Sequence, residues 1–254
     1  MPQRLGEFRA RGLRGRRACA AACLLLVLCA VCPGAARKRP RPPAAGRAAV
    51  VVDERLAVLR EAPSLTAGIV RRLGRGRLVA VTGAREAAEG VRFYRVVVTR
   101  RTGGWVQAEA LVTPGRAGED ERLLRLVRAS DGFDRVSRAR LFLENFPRSP
   151  HRPAVLLLLG DAASEAARRL TREARRRLDE RELAATGAPL KSYFLNYSGL
   201  DRYGRQGVFF RFDEAAKSFH YDGRAWREIF RRHPRSPEAA AARRRLSGVA
   251  ADPL

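Results

Sequence analysis

The chain has 254 residues, of which 46% are hydrophobic, and a formal net charge of +25. This apolar content is enough for a folded core and excludes a wholly disordered basic tail. Only three of the 51 basic residues are lysines, so the arginine bias is weak evidence for a nucleic-acid site. The excess positive charge still attracts anionic polymers.

Residues 1–36 have the pattern of a secretory signal peptide. Six arginines precede an apolar run of about fifteen residues, and Gly34, Ala35 and Ala36 provide small residues for cleavage. Because the run is shorter than the roughly 20 residues of a spanning helix, we favour a cleaved leader over an uncleaved anchor. A lipid anchor is a third alternative, and the export route stays open. We predict an exported protein that is periplasmic or associated with the cell envelope.

The four cysteines all lie within this leader. Their spacing inside an apolar stretch does not fit a thiolate metal site, which needs polar turns to bring its ligands together. Cleavage after Ala36 would leave a chain of net charge +20 without any thiol. Such a chain could form no disulfide and could use no cysteine nucleophile.

Residues 37–47 form a basic linker rich in proline and without apolar periodicity. We predict an extended, solvated spacer. Membrane contact through this N-terminal segment is an alternative, because a polybasic stretch is attracted to anionic lipid headgroups.

Residues 48–114 contain short runs of β-branched residues separated by glycine and proline, which predict strands joined by turns. So many short strands in so few residues are expected to close into a small barrel that hides its edges. The order of segments 58–64, 68–70, 73–81, 93–96 and 103–106 resembles a bacterial Src homology 3-like domain.

That resemblance implies a binding or spacing module that contacts peptidoglycan or a peptide, and it implies no catalysis. Its ligand-binding candidates are Arg60, Tyr94 and Trp105. Arg60 could hold a carboxylate as a bidentate fork, or its stem could cover the mouth of the barrel. The two aromatic rings could line a groove, and the alternative is that they belong to the core.

After residue 118 the periodicity becomes helical, and we predict an α-helical domain over residues 118–248. A first helix begins with acids at Glu119, Asp120 and Glu121, and a second runs from about Phe133 to Phe146. A third is expected from Ser149, as the capping residue, to about residue 185. Its alternating charges are typical of a solvated helix face.

Two segments of this region repeat one another. Residues 143–150 and 229–237 share a helix end, a Pro-Arg-Ser-Pro linker and a following helix, at an offset of 87 residues. Paired helices joined by a tight turn resemble the tetratricopeptide class. The offset is not a multiple of 34 residues and the usual Trp, Gly and Tyr positions are absent, so the resemblance is to helical hairpins of that kind.

Between the two copies, residues 207–222 alternate in a way that predicts an inserted β-hairpin with one apolar face. The surrounding segment is rich in aromatic residues. Its partner-binding candidates are Tyr193, Tyr197, Tyr203 and Tyr221, since tyrosine and arginine together are typical of interfaces. The alternative is that these rings pack the hairpin onto the helices.

The sequence shows no set of catalytic residues. His151, His220 and His233 have no partner at metal spacing, and neither a nucleophile elbow nor a phosphate loop is present. The pair His220 and Asp222 is interpreted as an ordinary surface contact. We therefore predict no enzyme activity, no cofactor, no metal and no small-molecule substrate.

The fold class expected is α+β, with a small Src homology 3-like barrel followed by tetratricopeptide-like helical hairpins and an inserted β-hairpin. The predicted function is that of an exported scaffold, in which the barrel binds peptidoglycan or a peptide and the helical hairpins bind an envelope protein. One alternative is a basic binder of an anionic polymer, either nucleic acid or acidic glycan, although we do not expect nucleic acid as the partner. Another is a regulatory subunit of a cell-wall hydrolase.

Overall fold

The computed structural model describes residues 45–250, and the side chains among them up to Gly248. The predicted leader, its cysteines and most of the basic linker lie outside the described residues. Within the described residues, no helix is both long enough and apolar enough to cross a membrane.

Seven strands form one antiparallel sheet in the first half of this region. They are β1 (Arg47–Val51), β2 (Val58–Arg60), β3 (Ile69–Arg72), β4 (Leu78–Glu86), β5 (Arg92–Thr99), β6 (Thr102–Gln107) and β7 (Leu111–Val112). Their order across the sheet is β3-β2-β6-β5-β4-β1-β7. The alternation of side chains is clearest in β5, where Tyr94, Val96 and Val98 face the core of the sheet while Arg95 is exposed.

The expectation of a closed barrel was wrong, because the end strands β3 and β7 do not pair with each other. Closure is unnecessary at the β7 end of the sheet, because helices cover it. Val50 of β1, Val112 of β7 and Val52, just after β1, are buried in the core of the helical region. At the other end β3 is only four residues long and finishes with Arg71 and Arg72. A short, charged edge strand resists pairing with another chain.

Helices follow the sheet, interrupted by one hairpin. They are α1 (Glu119–Arg128), α2 (Gly132–Asn145), α3 (Arg152–Arg177), α4 (Glu180–Thr186), α5 (Leu190–Leu195), α6 (Asp201–Arg205), α7 (Arg224–Arg232) and α8 (Glu238–Ala250). Strands β8 (Phe210–Asp213) and β9 (Ser218–Tyr221) form the hairpin between α6 and α7. The coarse prediction of a mixed α and β fold, with strands followed by helices and an inserted hairpin, is confirmed.

The third helix differs from its predicted bounds. It begins at Arg152, because Ser149 closes a turn in which its Oγ accepts a hydrogen bond from the His151 N–H, and Pro153 then occupies the first helical turn. The helix ends at Arg177, and Asp179 caps the separate helix α4 by accepting hydrogen bonds from Arg181 N and Glu182 N. An aspartate offers the backbone this alternative to a continuous helix.

The long helix α3 is the central element of the helical region. Its buried stripe of small residues, including Ala163, Ala167 and Ala174, allows α2, α7 and the hairpin to pack closely around it. Phe219 N donates a hydrogen bond to Thr171 Oγ1 at 2.8 Å, which helps to anchor the hairpin on α3. Phe219 and Tyr221 are buried against these helices, so the apolar face of the hairpin is the inner one.

The described residues all belong to one compact unit. Arg138 of α2 joins sheet and helices, because its buried guanidinium donates to the carbonyl of Val52 and to the carboxylate of Asp53, both at 3.3 Å. Arg75, in the turn before β4, makes a second link by donating to Asp134 of α2 at 2.8 Å.

Candidate functional site

One wall of a surface groove is formed by helix α3. Arg168, Arg172 and Arg175 are spaced by four and three residues, which places all three on one side of the helix. Each is exposed, whereas the neighbouring Ala167 and Thr171 turn toward the core. Burial of the small residues therefore orients the arginines toward one rim.

The opposite wall is formed by helix α8. Its buried residues Ala239 and Ala242 seat it on the helical core, and this orientation places Arg244 and Arg245 at the groove. Arg243, the preceding residue, is directed elsewhere, because its guanidinium lies 5.2 Å from the centroid of the Phe230 ring.

The floor comes from strand β9 and helix α7. Ser218 and His220 alternate along the strand with Phe219 and Tyr221, and Trp226 lies beside them. Tyr221 accepts a hydrogen bond from Ala225 N at 2.8 Å, and burial raises its pKa to about 12. The hydroxyl therefore stays neutral at physiological pH and adds no negative charge to the floor.

The groove has a volume of about 510 Å³ and is lined by five arginines. Among the described residues, no carboxylate lines it. Asp161, just outside, holds one of the five arginines, since Arg245 donates to both of its carboxylate oxygens at 3.0 and 3.3 Å. That hydrogen-bonded carboxylate also raises the pKa of Arg245.

The other four arginines have no carboxylate partner in the part of the chain that the structure describes. Arg175 donates to the carbonyl groups of Ala216 and Lys217, which close the hairpin turn. Arg168 donates to Ser164 Oγ at 3.3 Å. These acceptors are neutral, so the positive charges of the groove are left largely uncompensated.

This arrangement can bind anions. A guanidinium carries five donors in a planar fork that matches the two oxygens of a carboxylate or phosphate. The hydroxyl groups of Ser164 and Ser218 supply neutral hydrogen-bonding groups between the arginines. Over residues 45–248, the structure shows no group of three or more His, Cys, Asp or Glu side chains that could hold a metal ion.

The structure places the candidates of the sheet in different environments. Arg60 and Trp105 lie opposite each other on β2 and β6, and Arg60 donates to the carbonyl of Ala67 at 2.7 Å. Trp105 is half-buried, with the guanidinium of Arg85 5.9 Å from its ring centroid. Tyr94 is buried in the core of the sheet, where its hydroxyl accepts a hydrogen bond from Arg116 at 2.9 Å.

The four partner-binding candidates lie in or against the helical core. Tyr197, Tyr203 and Tyr221 are buried, and Tyr193 is half-buried with its hydroxyl donating to the carbonyl of Ala174 at 3.0 Å. Tyr203 accepts a hydrogen bond from Arg169. Only Tyr221 belongs to the groove.

The arginines of the groove were not identified from the sequence, where the charges of this helix were interpreted as a solvated face. The spacing of Arg168, Arg172 and Arg175 was a usable signal, because it predicts a common side of one helix. Nothing in the sequence indicated that α8, some seventy residues later, would face that side.

Comparisons of the chain with family models, with curated proteins and with solved structures found no match. The likenesses to Src homology 3-like and tetratricopeptide-like proteins therefore stay predictions from the sequence.

Proposed function

We propose that this chain is a non-enzymatic binding protein whose groove between α3 and α8 holds an anionic polymer. The observation that carries this proposal is the convergence of five arginines on one concave surface. Among the described residues, only Arg245 of these five is paired with a carboxylate. Like charges gathered in this way repel one another, and an anion would relieve that repulsion. Guanidinium groups would also add charge-assisted hydrogen bonds to the ligand.

The charge of the whole chain supports the same function. A net charge of +25 raises the local concentration of polyanions and speeds their association. Binding should weaken as salt rises, because contacts with a polyanion release its condensed counterions. The four arginines of the groove without a carboxylate partner in the described structure would each contact one phosphate. Four such contacts correspond to a slope of about −3 when the logarithm of the binding constant is plotted against the logarithm of the salt concentration.

The test is a titration of the full chain with linear inorganic polyphosphate over a series of NaCl concentrations. The triple variant Arg168→Gln/Arg172→Gln/Arg244→Gln should bind at least about 10-fold more weakly, with a shallower salt slope, because three phosphate contacts are lost. The measurement is isothermal titration calorimetry, with circular dichroism confirming that each variant is folded.

The matched control is Arg176→Gln/Arg181→Gln/Arg231→Gln, which removes the same charge from exposed positions that do not line the groove. It should retain its affinity to within about threefold, the residual loss reflecting the lower net charge. An equal loss in both triple variants would show that charge over the whole surface, and not the groove, binds the polymer. Absence of binding to the unmodified chain would also reject the proposal.

A second candidate function, that of an exported envelope scaffold, is favoured by the surface around Trp105. Arg60, Trp105 and Arg95 lie opposite one another on β2, β6 and β5, so their side chains share the outer face of the sheet. A half-buried ring beside several guanidinium groups offers a contact for a peptide carboxylate or for peptidoglycan. The export in this proposal depends on the leader, which lies outside the described residues.

Sedimentation with purified cell-wall sacculi tests this second candidate. Trp105→Ala should lower the sedimented fraction several-fold, since the ring supplies apolar contact area beside the guanidinium groups of that surface. Phe209→Ala is the matched control, because Phe209 is an exposed aromatic residue outside the sheet that, like Trp105, lies beside a guanidinium, that of Arg224 at 5.2 Å. The scaffold hypothesis fails if both variants sediment like the unmodified chain, or if that chain does not sediment.

A further inference from the structure

The aromatic rings beneath the groove are not available for stacking. Phe219, Tyr221 and Trp226 are exposed by only 3%, 5% and 2%. Proteins that bind single-stranded nucleic acid stack the bases on exposed aromatic rings, in addition to following the backbone with positive charge. This groove has the charge and lacks the stacking surface.

Duplex nucleic acid also fits poorly. Duplex DNA is read by a helix or a pair of strands that protrudes into its major groove. Here the arginines line a concavity between two helices, with the floor of β9 set back beneath them. A narrow chain fits this concavity better than a duplex does.

Neutral hydrogen-bonding groups lie between the charges. Ser164 Oγ is next to Arg168, and Ser218 Oγ lies 2.8 Å from His220 Nε2 on the floor. Hydroxyl and imidazole groups can each donate or accept, which suits the hydroxyl groups of a sugar. Along α3, Arg168, Arg172 and Arg175 are separated by rises of about 6 and 4.5 Å, so successive cations recur on the scale of single sugar units.

We infer that the groove binds a short segment of an acidic glycan, a linear polysaccharide whose sugar units carry carboxylate groups. The arginines pair with the carboxylates, and the serine hydroxyls and His220 contact the sugar hydroxyls. A groove of about 510 Å³ falls within the range of small-ligand sites, so it holds a few sugar units of a longer chain. This inference rests on the proposed function and names the ligand class of the same site.

The experiment compares two probes of equal charge at the same salt concentration. One is tetragalacturonic acid, with four carboxylates, and the other is a single-stranded oligothymidylate with four phosphates. The full chain should bind the uronate at least about tenfold more tightly than the oligonucleotide, measured by calorimetry. Neutral galactotetraose should show no measurable binding, because it lacks the charges that the arginines require.

Two double variants locate the binding. Arg168→Gln/Arg172→Gln should lower the uronate affinity at least about tenfold. Arg176→Gln/Arg181→Gln, at exposed positions outside the groove, should leave it within about twofold. A third variant, Ser218→Ala, should weaken the uronate several-fold and polyphosphate by a smaller factor, since a sugar hydroxyl needs that partner whereas a phosphate chain binds chiefly to the arginines.

The outcomes separate this inference from the proposed function. If the oligonucleotide binds as tightly as the uronate or more tightly, and Arg168→Gln/Arg172→Gln abolishes this binding, the acidic glycan is rejected as the ligand. The proposal of an anion-binding groove would then still stand. If neither the uronate, the oligonucleotide nor polyphosphate binds, both the glycan inference and the proposed function are rejected. Uronate binding that Ser218→Ala does not change would reject the proposed sugar contact.

Discussion

The crossing of α3 and α7 depends on the absence of a side chain at Gly160. A Cβ built on this residue would lie 2.6 and 2.7 Å from Cε2 and Cδ1 of Trp226, distances that real Cβ atoms do not adopt. Trp226 is itself 2% exposed and belongs to the helical core, so its ring cannot move aside without disturbing the residues packed against it.

We therefore expect Gly160→Ala to lower the free energy of unfolding by about 1–3 kcal/mol through overpacking. This is the net loss, after the gain of about 1 kcal/mol that alanine brings to a helix interior. Urea denaturation followed by circular dichroism measures the change.

Gly248→Ala is the matched control for this substitution. Gly248 is also helical, in α8, and a Cβ there would meet nothing within 4 Å. It should be neutral or stabilising by up to about 1 kcal/mol. A Gly160→Ala protein as stable as the unmodified chain would show that the two helices are less tightly packed than the structure indicates.

At the scale of elements, the two Pro-Arg-Ser-Pro corners share a backbone and differ in their surroundings. The serine N–H bonds to the carbonyl of residue i−3 in both, from Ser149 to Phe146 at 3.2 Å and from Ser236 to His233 at 3.0 Å. This turn follows from the local sequence, since proline and serine favour it wherever they occur in this order.

The partner of each serine is decided elsewhere in the fold. Ser149 Oγ donates to Asp120 of α1 at 2.7 Å, and this hydrogen bond lowers the pKa of Asp120. Ser236 Oγ is buried and has no partner among the described residues. The repeat was therefore visible in the sequence, whereas the unequal environments of its two copies depend on which helix packs against each corner.

The apolar face of the hairpin was predictable from the local sequence, whereas the end of the third helix was not. The alternation of apolar residues in the two strands predicts a hairpin with one apolar face. In the structure Phe210 pairs with Tyr221, and Phe212 pairs with Phe219, on that face. The third helix was predicted to be longer than α3, because helix propensity alone does not favour the break at Asp179 over continuation. The carboxylate of Asp179 caps the following helix α4, and this capping favours the break.

At the scale of the whole molecule, Asp53 and Arg138 connect the sheet to the helices. Both are about 95% buried, with 4% and 5% exposed. The hydrogen bond from Arg55, reinforced by the charge of Arg138, holds the pKa of Asp53 below its usual 3.8 in spite of burial. The fold therefore favours the ionised carboxylate, and its contribution to stability is present above pH 3.8 and is lost as the pH falls further.

Asp53→Asn should lower the free energy of unfolding at pH 7 by about 3–5 kcal/mol, because Arg138 remains buried without its counter-charge. The variant should also lose less stability than the unmodified chain when the pH falls from 6 to 3, since one of the groups that take up a proton on unfolding is gone. Denaturant titrations at several pH values measure both effects.

Glu165→Gln serves as the control, since Glu165 is exposed on α3 and makes no ion pair in the described structure. Its stability should stay within about 0.5 kcal/mol at neutral pH. A pH profile of Asp53→Asn parallel to that of the unmodified chain would contradict the assigned role of the carboxylate.

Local patterns were enough to predict that strands come first, that helices follow from residue 119, and that a hairpin interrupts them. Those features depend on side-chain periodicity and turn residues that lie close together in the chain. The open sheet was not predictable in this way, because Val50 and Val112 are as apolar as any barrel residue and only the packing shows that helices cover them.

The candidate site was also only partly predictable from the sequence. The sequence by itself determined that Arg168, Arg172 and Arg175 share one side of a helix, and that the chain carries a large positive charge. Only the tertiary structure decided that Arg244 and Arg245 face them across a groove. The physical reason is that helix geometry is set by neighbouring residues, whereas the pairing of distant helices is set by burial of their apolar faces.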